Sequence, residues 1–309
     1  MKIAFVFPGQ GSQYVGMGKE IYENYDVARE VFQEASSALG YDLAALCFNG
    51  PKDELNKTFR TQPCILTVSI AICRVLLSRG IRPSVVAGHS LGEYSAIVAA
   101  ESLSLSDAVI LTEKRGLFMQ EAVPEGKGLM AAVLGLEREK VDGICKSLQS
   151  GYAAPANYNC PGQIVIAGEK NAVQEAIKLC DDAGAKRTVL LSVSVPSHCK
   201  LMEPASDKLA ELLDSTLLKN PAIPIVNNAE AAFLHDSESI KASLIRQLSY
   251  PLLWEDSIKT IADSGVTTFV EVGPGKVLSG LIKRIVSDVK IMNAEDMKSL
   301  ENTISLISS

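Results

Sequence analysis

The hydrophobic pattern of the N-terminal part of the chain alternates between short apolar runs and longer stretches with helical periodicity. Residues 3–7 and 84–87 are short apolar runs, which predict buried strands. Residues 19–39 carry apolar side chains at helical spacing and predict one helix. Residues 65–77 are apolar nearly all round, which predicts a central helix opened by Gln62-Pro63, since proline is tolerated in a first turn. This β-α-β-α order predicts a parallel sheet.

The pattern changes near Gly126. Strands are predicted over residues 129–134, 152–157, 163–167 and 186–191, with helices over 137–148 and 171–182. This β-α-β-β-α-β order is ferredoxin-like. We therefore expect a small ferredoxin-like domain, residues 127–194, inserted into a large α/β domain formed by residues 1–126 and 195–309. Such an insertion creates a cleft, which is the usual place for a ligand.

The C-terminal part returns to the mixed pattern of the large domain. Helices are predicted over residues 200–213, 240–248, 254–262 and 276–285, and strands over 223–226 and 267–270. The last strand and helix should rejoin the large sheet. Beyond Ser287 the chain is short and serine-rich, and it predicts no further element.

Composition restricts the class of protein. The chain has 309 residues and 47% hydrophobic content, enough for one large core and a smaller domain. Its net charge is −6 and it has no long basic run, so nucleic acid is not an expected partner. Residues 64–77 are too short an apolar stretch to span a bilayer, and the start lacks an export signal, so we expect no membrane insertion and a cytoplasmic location. The seven cysteines lack a C-x-x-C pair and predict neither disulfide nor metal site.

The stretch Gly88-His89-Ser90-Leu91-Gly92 lies between a predicted strand and a helix predicted over residues 93–100. In this context the glycines permit a strained turn that lifts the Ser90 hydroxyl toward a substrate. The Leu91 N–H begins the helix without a partner and would face an oxyanion formed beside Ser90. The motif predicts a nucleophile on an α/β-hydrolase-like core, and an ordinary glycine-flanked turn is the alternative.

A second glycine-rich loop, residues 8–13, follows the first strand. Tyr14 stands where a dinucleotide motif needs glycine, and Met17 stands where a P-loop needs lysine, so neither nucleotide motif is present. The loop could supply backbone N–H groups as the second half of an oxyanion hole. A plain turn remains the alternative interpretation.

Two further side chains are candidates for chemistry. Of the three histidines, His89 adjoins Ser90 but takes the neighbouring side-chain direction, and His235 lies in a polar loop, so His198 is the general base by elimination. Arg115 falls on the apolar stripe of a helix predicted over residues 104–120, where a guanidinium must meet an anion. That anion is a protein carboxylate or a ligand, and periodicity alone favours the structural ion pair.

Several separate stretches, in order and over almost the whole chain, resemble bacterial malonyl-CoA:acyl carrier protein transacylases. These stretches are residues 7–13, Gln62-Pro63, residues 88–94, Arg115, residues 157–168, residues 195–198 and Arg246-Gln247. The resemblance implies malonyl transfer from malonyl-CoA to the phosphopantetheine thiol of an acyl carrier protein, supplying extender units for fatty acid synthesis. It implies no cofactor and no metal.

The resemblance also assigns roles to individual residues. It implies Ser90 as the nucleophile, His198 as its base, and the backbone N–H groups of Gln10 and Leu91 as the oxyanion hole. The backbone carbonyl of Gln247 would orient the histidine in place of an aspartate. Arg115 would bind the free carboxylate of the malonyl group through a planar fork.

A surface patch and two rival functions complete the expectations. An acidic enzyme that serves an acidic carrier protein needs local positive charge, and Lys186, Arg187, Lys283 and Arg284 are the candidates. An ordinary solvated surface is the equal alternative for each pair. A serine hydrolase would share the turn around Ser90, but the chain lacks an HGGG-type loop and an evident triad acid. A non-catalytic acyl-binding module would not need Ser90, His198 and Arg115 together.

Overall fold

The computed structural model describes residues 2–124, 126–191 and 195–308 of the chain. Within these ranges the strands are β1 (Ile3–Phe7), β2 (Val85–Gly88), β3 (Gly128–Leu134), β4 (Ala153–Cys160), β5 (Gln163–Glu169), β6 (Arg187–Leu190), β7 (Ile225–Val226), β8 (Phe233–Leu234), β9 (Thr268–Val272) and β10 (Lys290–Ala294). The helices are α1 (Lys19–Asn24), α2 (Asp26–Leu39), α3 (Leu43–Asn49), α4 (Lys52–Leu55), α5 (Thr58–Ser78), α6 (Gly92–Ala99), α7 (Leu105–Ala122), α8 (Arg138–Ser147), α9 (Lys170–Asp182), α10 (Glu203–Asp214), α11 (Ser237–Gln247), α12 (Trp254–Asp263), α13 (Val277–Ile285) and α14 (Met297–Ser308).

The larger sheet has the strand order β10-β9-β1-β2-β7-β8 and is parallel except where β8 pairs with β7. Strands β1, β2 and β9 are buried along their whole length, as expected for parallel strands covered by helices on both faces. Phe7 lies opposite Gly88 in the register of β1 and β2. The glycine-rich loop after β1 and the turn around Ser90 therefore leave the same edge of the sheet, where open α/β sheets place their ligands.

The smaller sheet is antiparallel, with the order β4-β5-β3-β6, and α8 and α9 pack on it around a second core. The predicted ferredoxin-like order of elements is confirmed. Its strands begin at Gly128 and end at Leu190, inside the predicted limits of 127 and 194. The division into two domains at those limits stays a prediction, and residues 192–194 lie outside the described part of the chain.

Helix α5 is the central helix of the larger core, as predicted, but it begins before the Gln62-Pro63 pair that was expected to open it. It spans 21 residues from Thr58, so Pro63 lies inside the helix instead of in its first turn. Gly116 of α7 allows the two helices to touch, because a Cβ at Gly116 would meet the backbone of Phe59. This packing extends the helix ahead of the proline. At that length α5 could cross a bilayer, yet most of it is buried inside the fold.

Other parts of the chain also differ from the predictions, among them the segment 19–39 and the C-terminal segment. The single helix expected over residues 19–39 breaks at Tyr25, which is extended (φ −131°) and caps α2. Asp26 then occupies the first turn of α2 and pairs with Arg29, an arrangement that favours a new helix start. The C-terminal segment, for which no element was predicted, forms β10 and α14. Strand β10 is a half-buried edge strand, so it lacks the continuous apolar run that marks the central strands.

Candidate active site

The turn around Ser90 is strained and tightly packed. Ser90 has a left-handed backbone (φ 53°) between β2 and α6, a conformation that costs a non-glycine residue about 1–3 kcal/mol. A Cβ at Gly88 would collide with the backbone of Gly92, and a Cβ at Gly92 would collide with the carbonyl of Phe7, so neither position of the motif has room for a side chain. The side chain of Asn228 holds the turn, because its Oδ1 accepts from Ser90 N at 2.7 Å and its Nδ2 donates to Gly88 O at 2.7 Å.

The imidazole of His198 lies against the Ser90 hydroxyl although the two residues are 108 positions apart. His198 Nε2 is 2.7 Å from Ser90 Oγ, and His198 Nδ1 is 2.8 Å from the backbone carbonyl of Gln247. A carbonyl oxygen only accepts, so Nδ1 carries the proton and Nε2 presents its lone pair to the serine hydroxyl. The ring is therefore in the tautomer that can take a proton from Ser90.

Burial keeps His198 neutral. Its side chain is enclosed, and desolvation, followed by the positive charge of Arg115, lowers the pKa of His198 to about 3, against the opposing hydrogen bond to Gln247. A neutral imidazole at neutral pH is a competent base. The other histidines have different surroundings: His89 Nε2 lies 2.9 Å from Asn159 Oδ1, and His235 is exposed.

The backbone N–H groups of Gln10 and Leu91 have no hydrogen-bond partner in the described ranges. Leu91 is the N-cap of α6, where the first N–H groups of a helix lack internal partners. The loop that carries Gln10 packs on the turn, since a Cβ at Gly9 would collide with the carbonyl of His89. The two free N–H groups thus come from two loops that meet beside Ser90, and Gln10 and Ser90 line the same cavity.

Arg115 is buried, with 1% of its surface exposed, and its guanidinium enters the site from α7. One terminal nitrogen donates to Gln62 Oε1 at 2.8 Å, and the other donates to Gln247 Oε1 at 2.9 Å and Ser90 Oγ at 3.1 Å. No carboxylate in the described residues forms an ion pair with it. The structural ion pair favoured by periodicity was wrong, because neutral amide oxygens hold the cation.

These groups line a cavity of about 180 Å³ between the two sheets. Ser90, His198 and Arg115 form its floor from the side of the larger sheet, while Met130 and Val165 close it from the smaller sheet. The cavity has room for a small acyl group. Its lining includes a nucleophile, a neutral base, the residue Gln10 that carries one of the two free N–H groups, and a cation without a carboxylate partner in the described residues.

Three residues of this site received no role from sequence reasoning. Gln62 and Glu93 fall inside stretches that carry the family resemblance, so a signal for them was present. Asn228 carries no motif, and only the fold brings it to the turn around Ser90. The lysine and arginine pairs at 186–187 and 283–284 do not line the cavity.

Comparison with known proteins gives a consistent result. The Acyl transferase domain family model matches residues 4–303. The chain is 53% identical over 287 residues to the malonyl CoA-acyl carrier protein transacylase of Salmonella typhimurium, covering 92% of this chain and 93% of that protein. An acyl carrier protein S-malonyltransferase from Vibrio cholerae has a crystal structure that superposes with a TM-score of 0.96 at 48% identity, covering 98% of this chain and 100% of that one.

A second solved structure contains a partner. It is a malonyl-transacylase in complex with its type II PKS acyl-carrier protein, with a TM-score of 0.97 at 47% identity, covering 99% of this chain and 100% of that one. Both the sequence and the fold therefore match over nearly the whole length. The chain belongs to the malonyl CoA-acyl carrier protein transacylase family.

Proposed function

We propose that this chain transfers a malonyl group from malonyl-CoA to the phosphopantetheine thiol of an acyl carrier protein, through a malonyl ester of Ser90, and so supplies malonyl units for fatty acid synthesis. The observation that carries the proposal is the buried Arg115 guanidinium, which has no carboxylate partner in the described residues and lies 3.1 Å from Ser90 Oγ. A malonyl group has a carboxylate one methylene from its thioester carbonyl. Binding the carboxylate to Arg115 thus brings the carbonyl to the nucleophile.

In the first half-reaction, Ser90 Oγ attacks the thioester carbonyl while His198 Nε2 takes the hydroxyl proton. The negative charge that develops on the carbonyl oxygen is received by the N–H groups of Gln10 and Leu91, each contributing about 3 kcal/mol to the transition state. When the tetrahedral intermediate collapses, the CoA sulfur leaves with the proton held by His198. A malonyl-serine ester remains.

In the second half-reaction, the thiol of the carrier protein's phosphopantetheine arm attacks that ester and gives its proton to His198. Collapse of this second intermediate returns the proton to Ser90 and releases the malonyl thioester. Water is the competing nucleophile, and hydrolysis of the ester is downhill. Both His198 and Arg115 are only 1% exposed, so the site limits access of water.

A product assay separates this function from the rival serine hydrolase. Wild-type protein is given malonyl-CoA with and without phosphopantetheinylated carrier protein, and malonyl carrier protein and free malonate are quantified. We expect malonyl carrier protein to be the main product when the carrier is present. Free malonate as the main product in both reactions would contradict the proposal and favour the hydrolase.

One residue of each basic pair in the proposed docking patch lies near Gln163 of β5. Arg187 of β6 pairs with Leu134 of β3, which pairs with Gln163 of β5. Arg284 of α13 donates to Gln163 Oε1 at 2.8 Å and to Pro161 O at 2.9 Å. This placement of Arg187 and Arg284 at the same end of the smaller sheet supports a shared docking surface. The solved complex of a related malonyl-transacylase with its acyl-carrier protein supports a carrier protein as the partner of this chain.

Charge reversal tests this patch. We expect the double substitution K186E/R187E to raise the KM for carrier protein by about tenfold at low salt, and less at high salt, because electrostatic attraction between exposed charges is screened. The exposed Lys298 of α14 gives a matched control, K298E, which should leave that KM unchanged. An unchanged KM in K186E/R187E would remove Lys186 and Arg187 from the docking surface.

A cytoplasmic location is part of the proposal. The seven cysteines are all free, and six of them are buried. Free cysteines used as small core residues fit a reducing compartment.

A further inference from the structure

Glu93 is a buried carboxylate that the mechanism above does not use. It follows the turn around Ser90 in the first turn of α6 and is 0% exposed. Its Oε2 accepts from Gln247 Nε2 at 2.9 Å and from the backbone N–H of Asn228 at 3.0 Å, and its Oε1 accepts from Ser243 Oγ at 3.0 Å. No lysine, arginine or histidine in the described ranges forms an ion pair with it.

The acceptors around Gln247 determine which way its side-chain amide points. Nε2 of Gln247 donates to Glu93 Oε2 and to the backbone carbonyl of Ser90 at 3.0 Å, and both of these oxygens require a donor. The amide oxygen must therefore point to the opposite side, where it accepts from Arg115 at 2.9 Å. A reversed amide would set an NH₂ group against the guanidinium and an oxygen against two oxygens.

This arrangement holds in both protonation states of Glu93. Burial raises the pKa of Glu93 to about 7, opposed by its hydrogen bonds from Gln247, Ser243 and Asn228 and by the positive charge of Arg115. A proton on Oε1 can be donated to Ser243 Oγ, which leaves Oε2 as an acceptor for Gln247. The orientation of the Gln247 amide thus depends on an acceptor at Oε2 and not on the negative charge.

The orientation of the Gln247 amide matters because its oxygen holds the Arg115 guanidinium in place without placing a negative charge on it. The terminal nitrogens of Arg115 are held by two amide oxygens, Gln62 Oε1 and Gln247 Oε1, so no protein carboxylate in the described residues occupies the place of a ligand carboxylate on the guanidinium. A carboxylate placed directly on Arg115 would compete with that ligand. Gln247 lies between Glu93 and Arg115 and bonds to both, so Glu93 can orient the amide of Gln247 without forming the competing ion pair.

We propose that Glu93 is a positioning residue, which fixes the amide of Gln247 and through it aims the Arg115 guanidinium, and thereby sets the preference for dicarboxylic over monocarboxylic acyl groups. This inference rests on the proposed function, because it concerns how that same site selects its substrate. It assigns to Glu93 an effect on selectivity that a residue needed only for folding would not have.

The test compares kcat/KM for malonyl-CoA and acetyl-CoA in two variants of Glu93. Glu93→Met removes the acceptor, and we expect the malonyl-to-acetyl ratio to fall about ten- to a hundredfold, the effect of losing hydrogen bonds to a charged group. Glu93→Gln keeps an acceptor at Oε2 and can donate to Ser243, so it should retain the wild-type ratio within about threefold. The inference would be overturned if E93M lost kcat/KM equally for malonyl-CoA and acetyl-CoA. It would also be overturned if the malonyl-to-acetyl ratio fell as far in E93Q as in E93M.

Two further variants complete the test. Glu271→Met is the matched control, since Glu271 is another buried carboxylate and its oxygens accept from the backbone N–H groups of Leu278 and Ser279, away from Arg115 and Gln247. It should lower thermal stability and leave the ratio unchanged. Gln247→Met removes the same amide while keeping the carbonyl that binds His198. The malonyl-to-acetyl ratio should fall no further when Q247M is combined with E93M than in either single variant. Q247M takes the place of E93M in the test if E93M does not fold.

The wild-type arm separates this inference from the function on which it rests. Failure of the wild type to transfer malonyl groups would contradict the proposed function. Normal malonyl transfer by the wild type together with an unchanged ratio in E93M, or in Q247M where it stands in, would contradict only the role of Glu93.

Discussion

Replacement of Ser90 by alanine is expected to lower malonyl transfer by roughly 10⁴- to 10⁶-fold, the range for loss of a serine nucleophile that works with a histidine. The reason is that no other hydroxyl lies against His198 Nε2, whose hydrogen-bond partner in the described residues is Ser90 Oγ at 2.7 Å. The measurement is the rate of CoA release and of malonyl carrier protein formation under single-turnover conditions.

A control for this variant distinguishes loss of the nucleophile from damage to the turn. Alanine keeps the backbone hydrogen bonds of position 90 to Asn228 and Gln247, so the thermal midpoint of Ser90→Ala should stay close to that of the wild type. Retention of more than about one percent of malonyl transfer in a folded Ser90→Ala protein would show that another group carries the acyl chain.

Replacement of Arg115 by alanine is expected to lower kcat/KM for malonyl-CoA by about 10²- to 10³-fold, while acetyl-CoA changes much less. Removing one member of a buried charge pair costs about 3–5 kcal/mol, because the other charge is left without a partner. In this site that other charge is the substrate carboxylate, which acetyl-CoA lacks. The comparison of the two thioesters therefore isolates recognition of the carboxylate from any general damage.

A second variant examines the geometry of the fork. Arg115→Lys keeps the positive charge but cannot bind both Gln62 and Gln247 as a planar guanidinium does, so malonyl transfer should fall between wild type and Arg115→Ala. Equal losses for malonyl-CoA and acetyl-CoA in Arg115→Ala would remove the assigned role of the arginine.

The part of the site that depends on local sequence was predictable. The turn around Ser90 is a strand, a glycine-flanked serine and a helix start within a few residues, and the structure has these elements at Val85–Gly88 and Gly92–Ala99. The strands and helices of the smaller sheet were predictable for the same reason, since each has a clear period in its own segment. Edge strand β10 was missed because its side chains are only half-buried.

The part that depends on long-range contacts was not predictable from pattern. Periodicity showed that Arg115 is buried, but its partners lie 53 and 132 positions away and are amides instead of a carboxylate. Elimination and family resemblance pointed to His198, yet only the fold shows its ring against Ser90. Asn228 and the orientation of the Gln247 amide have no sequence signal, because both are consequences of packing between distant segments.

The intact mass of the wild-type protein after brief exposure to malonyl-CoA, and separately to acetyl-CoA, shows directly whether Ser90 forms an ester and with which acyl group. We expect one malonyl adduct, mapped by peptide sequencing to Ser90, and little acetyl adduct. Absence of a malonyl adduct, its location on another residue, or acetylation to the same extent would contradict a serine ester selected through Arg115.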